Sequence, residues 1–234
     1  MQVLKQHKIT TAVAVLIVVM MIVLLLLVAL SSIPGPIPPP SSYQGEITQY
    51  QGHNLTSINS FAEEIAQHPD VAIDGTQYLN QTTYRLSITG LVNHPMEYTY
   101  SDVINNFPAY QQVATLFCVE GWSVTMLWEG ARVTDLIQEA GVSPNATVAI
   151  FHASDGYTSA LPLDYIAQNN ITLAYKMNNV TLTPFAGFPL ALVAQNQYGY
   201  KWVKWVTEIE VSNNTGYLGY WESRGYPNFA TVNP

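Results

Sequence analysis

Phe117-Cys118-Val119-Glu120-Gly121-Trp122 bears most directly on the fold of this 234-residue sequence, because it contains the only cysteine. A single cysteine cannot form a disulfide within the chain. Four roles remain for it: a buried structural thiol, a crosslink to another molecule, a nucleophile or a metal ligand. Buried structural thiols are common, so the choice among these roles depends on the rest of the sequence.

Predicted strands outnumber predicted helices around this stretch. Alternating apolar residues, many of them β-branched, predict strands, and short capped runs predict helices. This pattern indicates an α+β, strand-rich domain rather than a regular alternation of strand and helix. The predicted strands are 84–92, 113–118, 148–152, 172–177, 190–194 and 203–211, and the predicted helices are 61–66, 98–107, 131–140 and 163–168.

The N-terminal region predicts a membrane anchor. No charged residue occurs from Ile9 to Leu30, and about 20 apolar residues suffice for a helix to cross ~30 Å of hydrocarbon. The apolar core of a cleavable signal is shorter, which favours an uncleaved anchor, although the small residues Ser31 and Ser32 leave cleavage open. Because Lys5 and Lys8 precede the run, the positive-inside rule predicts a single-pass protein of the cell membrane. Residues 1–8 would form a cytoplasmic tip, and everything after residue 30 would be extracellular or periplasmic.

The predicted anchor covers residues 9–30, and the chain beyond it divides into three segments. Residues 31–42 are rich in proline, which favours an extended polyproline conformation, so they predict a semi-rigid spacer. Residues 43–82 form a polar lead-in, and residues 83–234 form the folded domain. This outer part contains six of the eight Lys and Arg residues and all sixteen Asp and Glu residues, a formal net charge of −10. Such an acidic part excludes nucleic acid as a partner.

Six positions fit the Asn-x-Thr signal for glycosylation, which would agree with an outer location. The abundance of Asn and Thr could also produce such matches, so both explanations remain open. The candidate positions are Asn54, Asn80, Asn145, Asn170, Asn179 and Asn213.

Four further blocks follow the cysteine block in order: Asp155-Gly156-Tyr157-Thr158-Ser159-Ala160-Leu161-Pro162-Leu163, Leu173-Ala174-Tyr175-Lys176-Met177-Asn178, Gly187-Phe188-Pro189-Leu190 and Tyr198-Gly199-Tyr200-Lys201-Trp202-Val203-Lys204-Trp205-Val206. Together the five blocks resemble the molybdopterin-binding domain of the sulfite oxidase family. They look most like the periplasmic methionine sulfoxide reductase catalytic subunits. The resemblance covers about residues 83–211.

The resemblance implies a cofactor and a role for several residues. Cys118 matches the thiolate that ligates molybdenum in a molybdenum–molybdopterin cofactor (or a tungsten analogue), and it would be the catalytic residue. A soft thiolate suits such a metal and must be deprotonated to bind it. The segment that would hold the pterin and its phosphate matches Tyr198, Gly199, Lys201 and Lys204, although an ordinary solvated strand face is the alternative for the two lysines.

Other residues have less specific interpretations. Asp155 with Gly156 is typical of a turn, but the family segment that it matches lines the approach to the metal. Tyr157 could reach that site. His152 is the nearest histidine, although a histidine packed in the core is the more common case. We interpret Glu120 as a surface carboxylate and Trp122 as a packing residue.

The sequence departs from the family pattern in three places. Ala191 stands where the family usually has an arginine, after Gly187-Phe188-Pro189-Leu190. The polar lead-in shows no match to the cofactor-contacting stretch of the family. The N-terminus has Lys5 and Lys8 but no Arg-Arg pair, whereas the family usually exports its cofactor-loaded enzymes by the twin-arginine route.

Three functions therefore remain open, of which the least specific is a glycosylated surface protein in which the fold is only a scaffold. The first is an outward-facing molybdopterin-dependent oxidoreductase that transfers an oxygen atom and two electrons on a small oxo-compound such as sulfite or a sulfoxide. A membrane or haem protein would exchange electrons with it, because the sequence has no second redox motif. The second is a cofactor-free extracellular module of the same fold that binds a ligand or a partner.

Overall fold

The computed structural model describes residues 20–22, 42–68 and 72–232. In these ranges no helix has both the length and the apolar composition needed to span a membrane. The predicted anchor, residues 9–30, lies outside the described residues except for residues 20–22, which are helical. The spacer, residues 31–42, likewise lies outside them apart from Ser42.

The described residues contain twelve strands and four helices longer than one turn. The strands are β1 (Gln49–Tyr50), β2 (His53–Asn54), β3 (Arg85–Gly90), β4 (Met96–Thr99), β5 (Tyr110–Phe117), β6 (Ser123–Arg132), β7 (Val148–Ala153), β8 (Thr158–Pro162), β9 (Thr172–Met177), β10 (Val180–Thr181), β11 (Ala191–Val193) and β12 (Val206–Ser212). The helices are α1 (Ile58–Gln67), α2 (Tyr100–Asn106), α3 (Val133–Glu139) and α4 (Leu163–Gln168). Short 3₁₀ turns cover Pro184–Ala186, Gly199–Lys201 and Glu222–Arg224.

Two five-stranded sheets form the domain, and β1 and β2 pair in a separate two-stranded sheet. One has the order β10-β9-β6-β5, with β11 also paired to β9, and all of its pairs are antiparallel. The other has the order β4-β3-β12-β7-β8, in which only β3 and β12 are parallel. Buried residues of both sheets belong to one apolar cluster. The strand-rich α+β architecture expected from the sequence is therefore confirmed.

Local sequence signals explain the helices well. Helix α2 begins with a capping box in which Asp102 N–H donates to Thr99 Oγ1 at 3.1 Å and Thr99 N–H donates to Asp102 Oδ2 at 2.8 Å. Helix α1 is longer than predicted and is capped by Ser57, whose side chain accepts from the N–H of Ser60.

The strand predictions need correction in two respects: several strands were missed, among them β4 (Met96–Thr99) and β8 (Thr158–Pro162), and one strand begins later than predicted. No strand was predicted over residues 123–132, yet β6 lies there between β5 and β9. Its buried residues occupy both faces, so it lacks the alternation that marks a half-buried strand. The last strand was predicted over 203–211 but begins at Val206. Residues 203–205 precede it as a buried loop in which Trp205 has a φ of 50°.

The lead-in packs with the domain. The described residues 42–68 and 72–232 belong to one compact unit, which therefore includes the described part of the lead-in together with the folded domain. Asn178 joins these two segments: its Oδ1 accepts from Leu127 N–H at 3.0 Å, and its Nδ2 donates to the Thr56 carbonyl at 2.8 Å. The Asn178 side chain is fully buried, so neither bond can be replaced by water.

Asn178→Ala is expected to lower the free energy of unfolding by about 2–4 kcal/mol, because it leaves the buried Leu127 N–H and the half-buried Thr56 carbonyl without their partner. Chemical denaturation of the full-length protein measures this loss. Asn179→Ala is the matched control, since both residues have positive φ but Asn179 is exposed. Equal losses in the two variants would show that backbone strain, and not the buried bonds, is responsible.

Candidate functional site

Cys118 lies in the tight loop that joins β5 to β6. Its backbone N–H donates to the Trp122 carbonyl at 2.9 Å, and Gly121 N–H donates back to the Cys118 carbonyl at 3.2 Å. These two bonds close the loop, so the position of the sulfur is fixed by the ends of two paired strands. The Cys118 side chain is half-buried, and the thiol is free.

A second segment, the 3₁₀ turn Gly199–Lys201, lies directly against this loop. Phe117 and Tyr198 form an isolated parallel bridge between the two segments. A Cβ on Gly199 would lie 3.4 Å from the Phe117 carbonyl oxygen and 3.8 Å from the Cys118 Cα. Glycine therefore leaves open the space beside the cysteine that a side chain would fill.

Cys118 and this turn border a cleft whose empty volume, including the solvent space at its open mouth, is about 520 Å³. Apolar side chains form most of its wall, and Lys204 is the cationic residue among them. The lining residues are Phe61, Ile65, Leu116, Cys118, Trp122, Trp128, Ala186, Ala191, Leu192, Gly199, Trp202 and Lys204.

Helix α1 closes one side of the cleft through aromatic contacts. The Phe61 ring lies 6.4 Å from Trp122, 6.5 Å from Trp128 and 5.7 Å from Phe185, measured between ring centroids. Such tilted and edge-on pairs add to the stabilisation from burial. The polar lead-in, in which the sequence shows no cofactor-contacting stretch, thus supplies part of the cleft wall.

The electrostatic environment of Cys118 favours the neutral thiol. Burial raises its pKa, and the carboxylates of Glu120 and Glu64 raise it further, against the lowering effect of the backbone N–H groups of Glu120 and Val119. The Glu120 Oε2 lies 4.0 Å from the sulfur. A metal cation at this position would replace the thiol proton.

The structure separates the two lysines of the resembling block. Lys204 lines the cleft, where its Nζ donates to the Phe185 carbonyl at 2.9 Å and lies 5.1 Å from the Trp205 ring centroid. Lys201 is fully buried away from the cleft lining, and its Nζ donates to Glu222 Oε1 at 2.6 Å. The interpretation of both lysines as a solvated strand face is wrong, because both are buried and neither lies on a strand.

The remaining predicted residues lie outside the cleft lining. Tyr198 is half-buried, and its N–H donates to the Ala230 carbonyl at 2.8 Å. Asp155 sits in the predicted turn and accepts from the N–H groups of Tyr157 and Ile73 at 3.0 and 2.7 Å. Tyr157 is buried, and its hydroxyl donates to the Tyr200 carbonyl at 2.6 Å. Burial raises the pKa of Tyr157, so it stays neutral.

His152 and the glycosylation candidates are surface features. The His152 Nε2 lies 3.1 Å from Glu210 Oε2, on a strand of the other sheet. Five of the six candidate asparagines are exposed, and Asn170 is half-buried. Their glycosylation stays a prediction.

Several site residues were missed by sequence analysis. Trp122 was interpreted as a packing residue, yet it lines the cleft, and among the described residues its Nε1 has no hydrogen-bond partner. Phe61, Trp128 and Trp202 reach the cleft from three distant segments. Only aromatic character marked Phe61 and Trp128, and that character is equally typical of a core, whereas Trp202 lies within the block that begins at Tyr198. In the described ranges no group of three or more His, Cys, Asp or Glu residues could hold a metal.

Comparisons of sequence agree with this arrangement. The family described as oxidoreductase molybdopterin binding domain matches residues 73–221. The chain is 38% identical over 154 residues to the uncharacterized oxidoreductase YuiH of Bacillus subtilis (strain 168), covering 65% of this chain and 77% of that protein. It is 30% identical over 155 residues to the putative protein-methionine-sulfoxide reductase subunit YedZ1 of Azospira oryzae, covering 65% and 58%.

A further relative and a solved structure extend the comparison. The protein-methionine-sulfoxide reductase catalytic subunit MsrP of Gluconobacter oxydans (strain 621H) is 26% identical over 189 residues, covering 74% of this chain and 60% of that protein. The crystal structure of the sulfane dehydrogenase SoxCD from Paracoccus pantotrophus matches with a TM-score of 0.57 and 22% identity, covering 77% of this chain and 60% of that one. At that identity the structural match shows a shared fold alone.

Glu120→Gln is expected to lower the pKa of the Cys118 thiol, because it removes a negative charge beside the sulfur. The pH dependence of alkylation by iodoacetamide measures this pKa in the metal-free full-length protein, where Cys118 is the only thiol. Glu97→Gln, at an exposed carboxylate that faces Arg85, is the matched control. An unchanged titration in Glu120→Gln would contradict the assigned electrostatics.

Proposed function

Because the matched region covers more than half of the sequence, the chain belongs to the oxidoreductase molybdopterin binding domain family, and we propose that it is a molybdopterin-dependent oxidoreductase with Cys118 as the thiolate ligand of the metal. The observation that carries the proposal is the placement of Cys118. The sole cysteine borders the cleft and lies against a glycine turn that leaves space beside it.

The residues around the cleft fit a molybdenum–pterin group, or its tungsten analogue, in three respects. The Cys118 thiol is a soft ligand suited to such a metal once it is deprotonated. Gly199 leaves room for a ligand to approach the backbone beside the cysteine. Lys204 is a cation at the cleft wall that suits an anionic phosphate.

When bound, the cofactor would supply the transfer of one oxygen atom between a small oxo-compound and water, and the two electrons involved would go to or come from the proposed electron-transfer partner. The chain contributes the surroundings of that exchange. The loop hydrogen bonds of Cys118 hold the sulfur in place. Phe61 and Ile65 on α1 form an apolar wall that keeps water away from the inner part of the cleft, and electrostatic interactions are stronger where water is excluded.

The electrostatics at Cys118 support a neutral substrate, of the sulfoxide type, over the sulfite anion. Glu120 and Glu64 are negatively charged, so both make the potential at the sulfur more negative and raise the pKa of the thiol. The outer part of the chain is acidic as a whole, so long-range steering also disfavours anions. The apolar wall of the cleft would accommodate the organic groups of a sulfoxide.

We also propose that the domain is tethered to the outer face of the cell membrane and exchanges electrons with a membrane or haem protein. The uncharged run from Ile9 to Leu30 and the two lysines before it support the tether. The names of two relatives describe them as subunits, which supports a partner. The chain spans about three-fifths of the length of each of those two proteins.

A cofactor-free binding module is the second candidate. Ala191 favours it, because this alanine lines the cleft where the resembling family has a cation. The predominantly apolar wall also suits an uncharged organic ligand without any cofactor.

Cys118→Ser is expected to reduce bound molybdenum by at least about tenfold, since even outer-shell partners of a metal contribute ten- to hundredfold to affinity. Elemental analysis of full-length protein purified from its own membrane measures the metal, and circular dichroism checks the fold. Ser123→Ala, at an exposed position just after the loop, is the control. Metal-free wild-type protein would favour the binding module.

Glu120→Gln is expected to lower KM for sulfite by about threefold at low ionic strength while leaving KM for dimethyl sulfoxide unchanged, because only the anion feels the lost charge. Steady-state kinetics in low and high salt measure both constants, and the effect on sulfite should shrink as salt screens the charge. An equal change for both substrates would refute the electrostatic basis of the sulfoxide preference.

A further inference from the structure

The C-terminal residues 213–231, here called the C-terminal strap, lie against the Gly199–Lys201 turn. Ala230 N–H donates to Gln197 Oε1 at 3.0 Å, and the Tyr200 hydroxyl donates to the Pro227 carbonyl at 2.7 Å. The Tyr200 and Tyr226 rings are 5.2 Å apart. The turn is therefore held between two layers, the Cys118 loop on one side and the C-terminal strap on the other.

A buried ion pair also links the strap to the turn. Lys201 Nζ donates to Glu222 Oε1 at 2.6 Å, and the two side chains are 1% and 0% exposed. Ser159 Oγ donates to the same carboxylate oxygen at 2.7 Å. Removing one member of such a pair leaves an uncompensated buried charge, which is strongly unfavourable. Glu222 lies one residue beyond the region that the family matches.

Within the described ranges the turn itself has no strand partner; just before it, Tyr198 bridges to Phe117 and Gln197 bridges to Thr231 of the strap. Gly199 packs against Leu116, Phe117 and Cys118, so a small shift of the turn changes the space beside the sulfur. Whatever holds Lys201 therefore also sets the width of the cleft at Cys118.

We propose that Glu222 is a positioning residue: it anchors Lys201 so that the Gly199–Lys201 turn stays against Cys118, and it acts on the proposed cofactor site through that turn. Lys201 then serves as the anchor point of the turn rather than as a direct contact to a phosphate. The link to cofactor rests on the proposed function, whereas the link to Cys118 rests on the packing alone.

Two variants separate anchoring from direct contact. Glu222→Gln keeps an acceptor for Ser159 but removes the charge that holds Lys201. If Lys201 bound a phosphate directly, this variant would leave its cation more available, and bound molybdenum would be kept. If Glu222 anchors the turn, the turn loosens and bound molybdenum falls. Lys201→Met/Glu222→Gln removes both charges together and leaves no unpaired buried charge.

The first measurement is the rate at which iodoacetamide alkylates Cys118 in full-length protein prepared without molybdate. Because it needs no cofactor, it tests the positioning separately from the proposed function. Glu222→Gln is expected to react about tenfold faster than wild type, since the turn opens locally, and the double variant is expected to return to within about twofold of wild type.

The second measurement is molybdenum per chain in protein prepared with molybdate. It is expected to fall at least about tenfold in Glu222→Gln and to recover in the double variant. The proposal would be overturned if Glu222→Gln kept its molybdenum while the double variant lost it, although its Cys118 was alkylated no faster than in wild type. That result would show that Lys201 contacts the cofactor phosphate directly. If Glu222→Gln does not fold, the double variant decides alone: molybdenum kept without Lys201 supports the proposal, and molybdenum lost without Lys201 overturns it. If the wild-type protein held no molybdenum but the alkylation rates were as expected, the proposed function would be refuted. The positioning role of Glu222 would still stand.

Ile88→Val is the control for general loss of stability, because Ile88 is a fully buried residue of β3 in the other sheet. In the Ile88→Val variant, Cys118 should be alkylated at the wild-type rate although the melting temperature of the protein is lower. The proposal would be overturned if Glu222→Gln and Ile88→Val showed the same increase in alkylation rate for the same drop in melting temperature. Glu222 would then only stabilise the fold in general.

Discussion

The close contact between the Cys118 loop and the Gly199–Lys201 turn is the constraint on which the candidate site depends. The two segments are about eighty residues apart in sequence, and one parallel bridge and one glycine bring them together. A single bridge is weak by itself, since a typical hydrogen bond contributes only about 1 kcal/mol net. The surrounding structure must therefore hold the turn, and the C-terminal strap does so from the opposite side.

The buried pair of Lys201 and Glu222 contributes more to specificity than to stability. Taking both charges out of water costs several kcal/mol, and their attraction roughly offsets that cost. Burial lowers the pKa of Lys201, and the carboxylate of Glu222 opposes that shift. An apolar pair would hold the strap about as firmly but would tolerate sliding. An ion pair at 2.6 Å fixes one register of the strap on the turn.

The sequence was sufficient for features that depend on local chemistry. The capping box of α2, the turn at Asp155 and the α+β class all follow from short-range patterns. The site at Cys118 could be located because its blocks are contiguous in sequence. The role of Lys201 could not be predicted, since its partner Glu222 belongs to a segment without any pattern that points to it. Likewise, β6 could not be predicted, because it is buried on both faces and so lacks the alternation of apolar and polar residues that marks a half-buried strand.

The raised pKa of Cys118 and its proposed role as a metal ligand are compatible. Before a metal binds, burial and two nearby carboxylates keep the sulfur protonated, and a protonated thiol is a poor nucleophile and slow to oxidise. In the outward location proposed above, oxidants are abundant and an unpaired thiolate would be vulnerable. The same burial disfavours water in the inner cleft, where a bound cation would displace the proton. The same environment therefore protects the Cys118 thiol while no metal is bound. Once a metal has replaced the proton, this environment strengthens the bond between the metal and the sulfur.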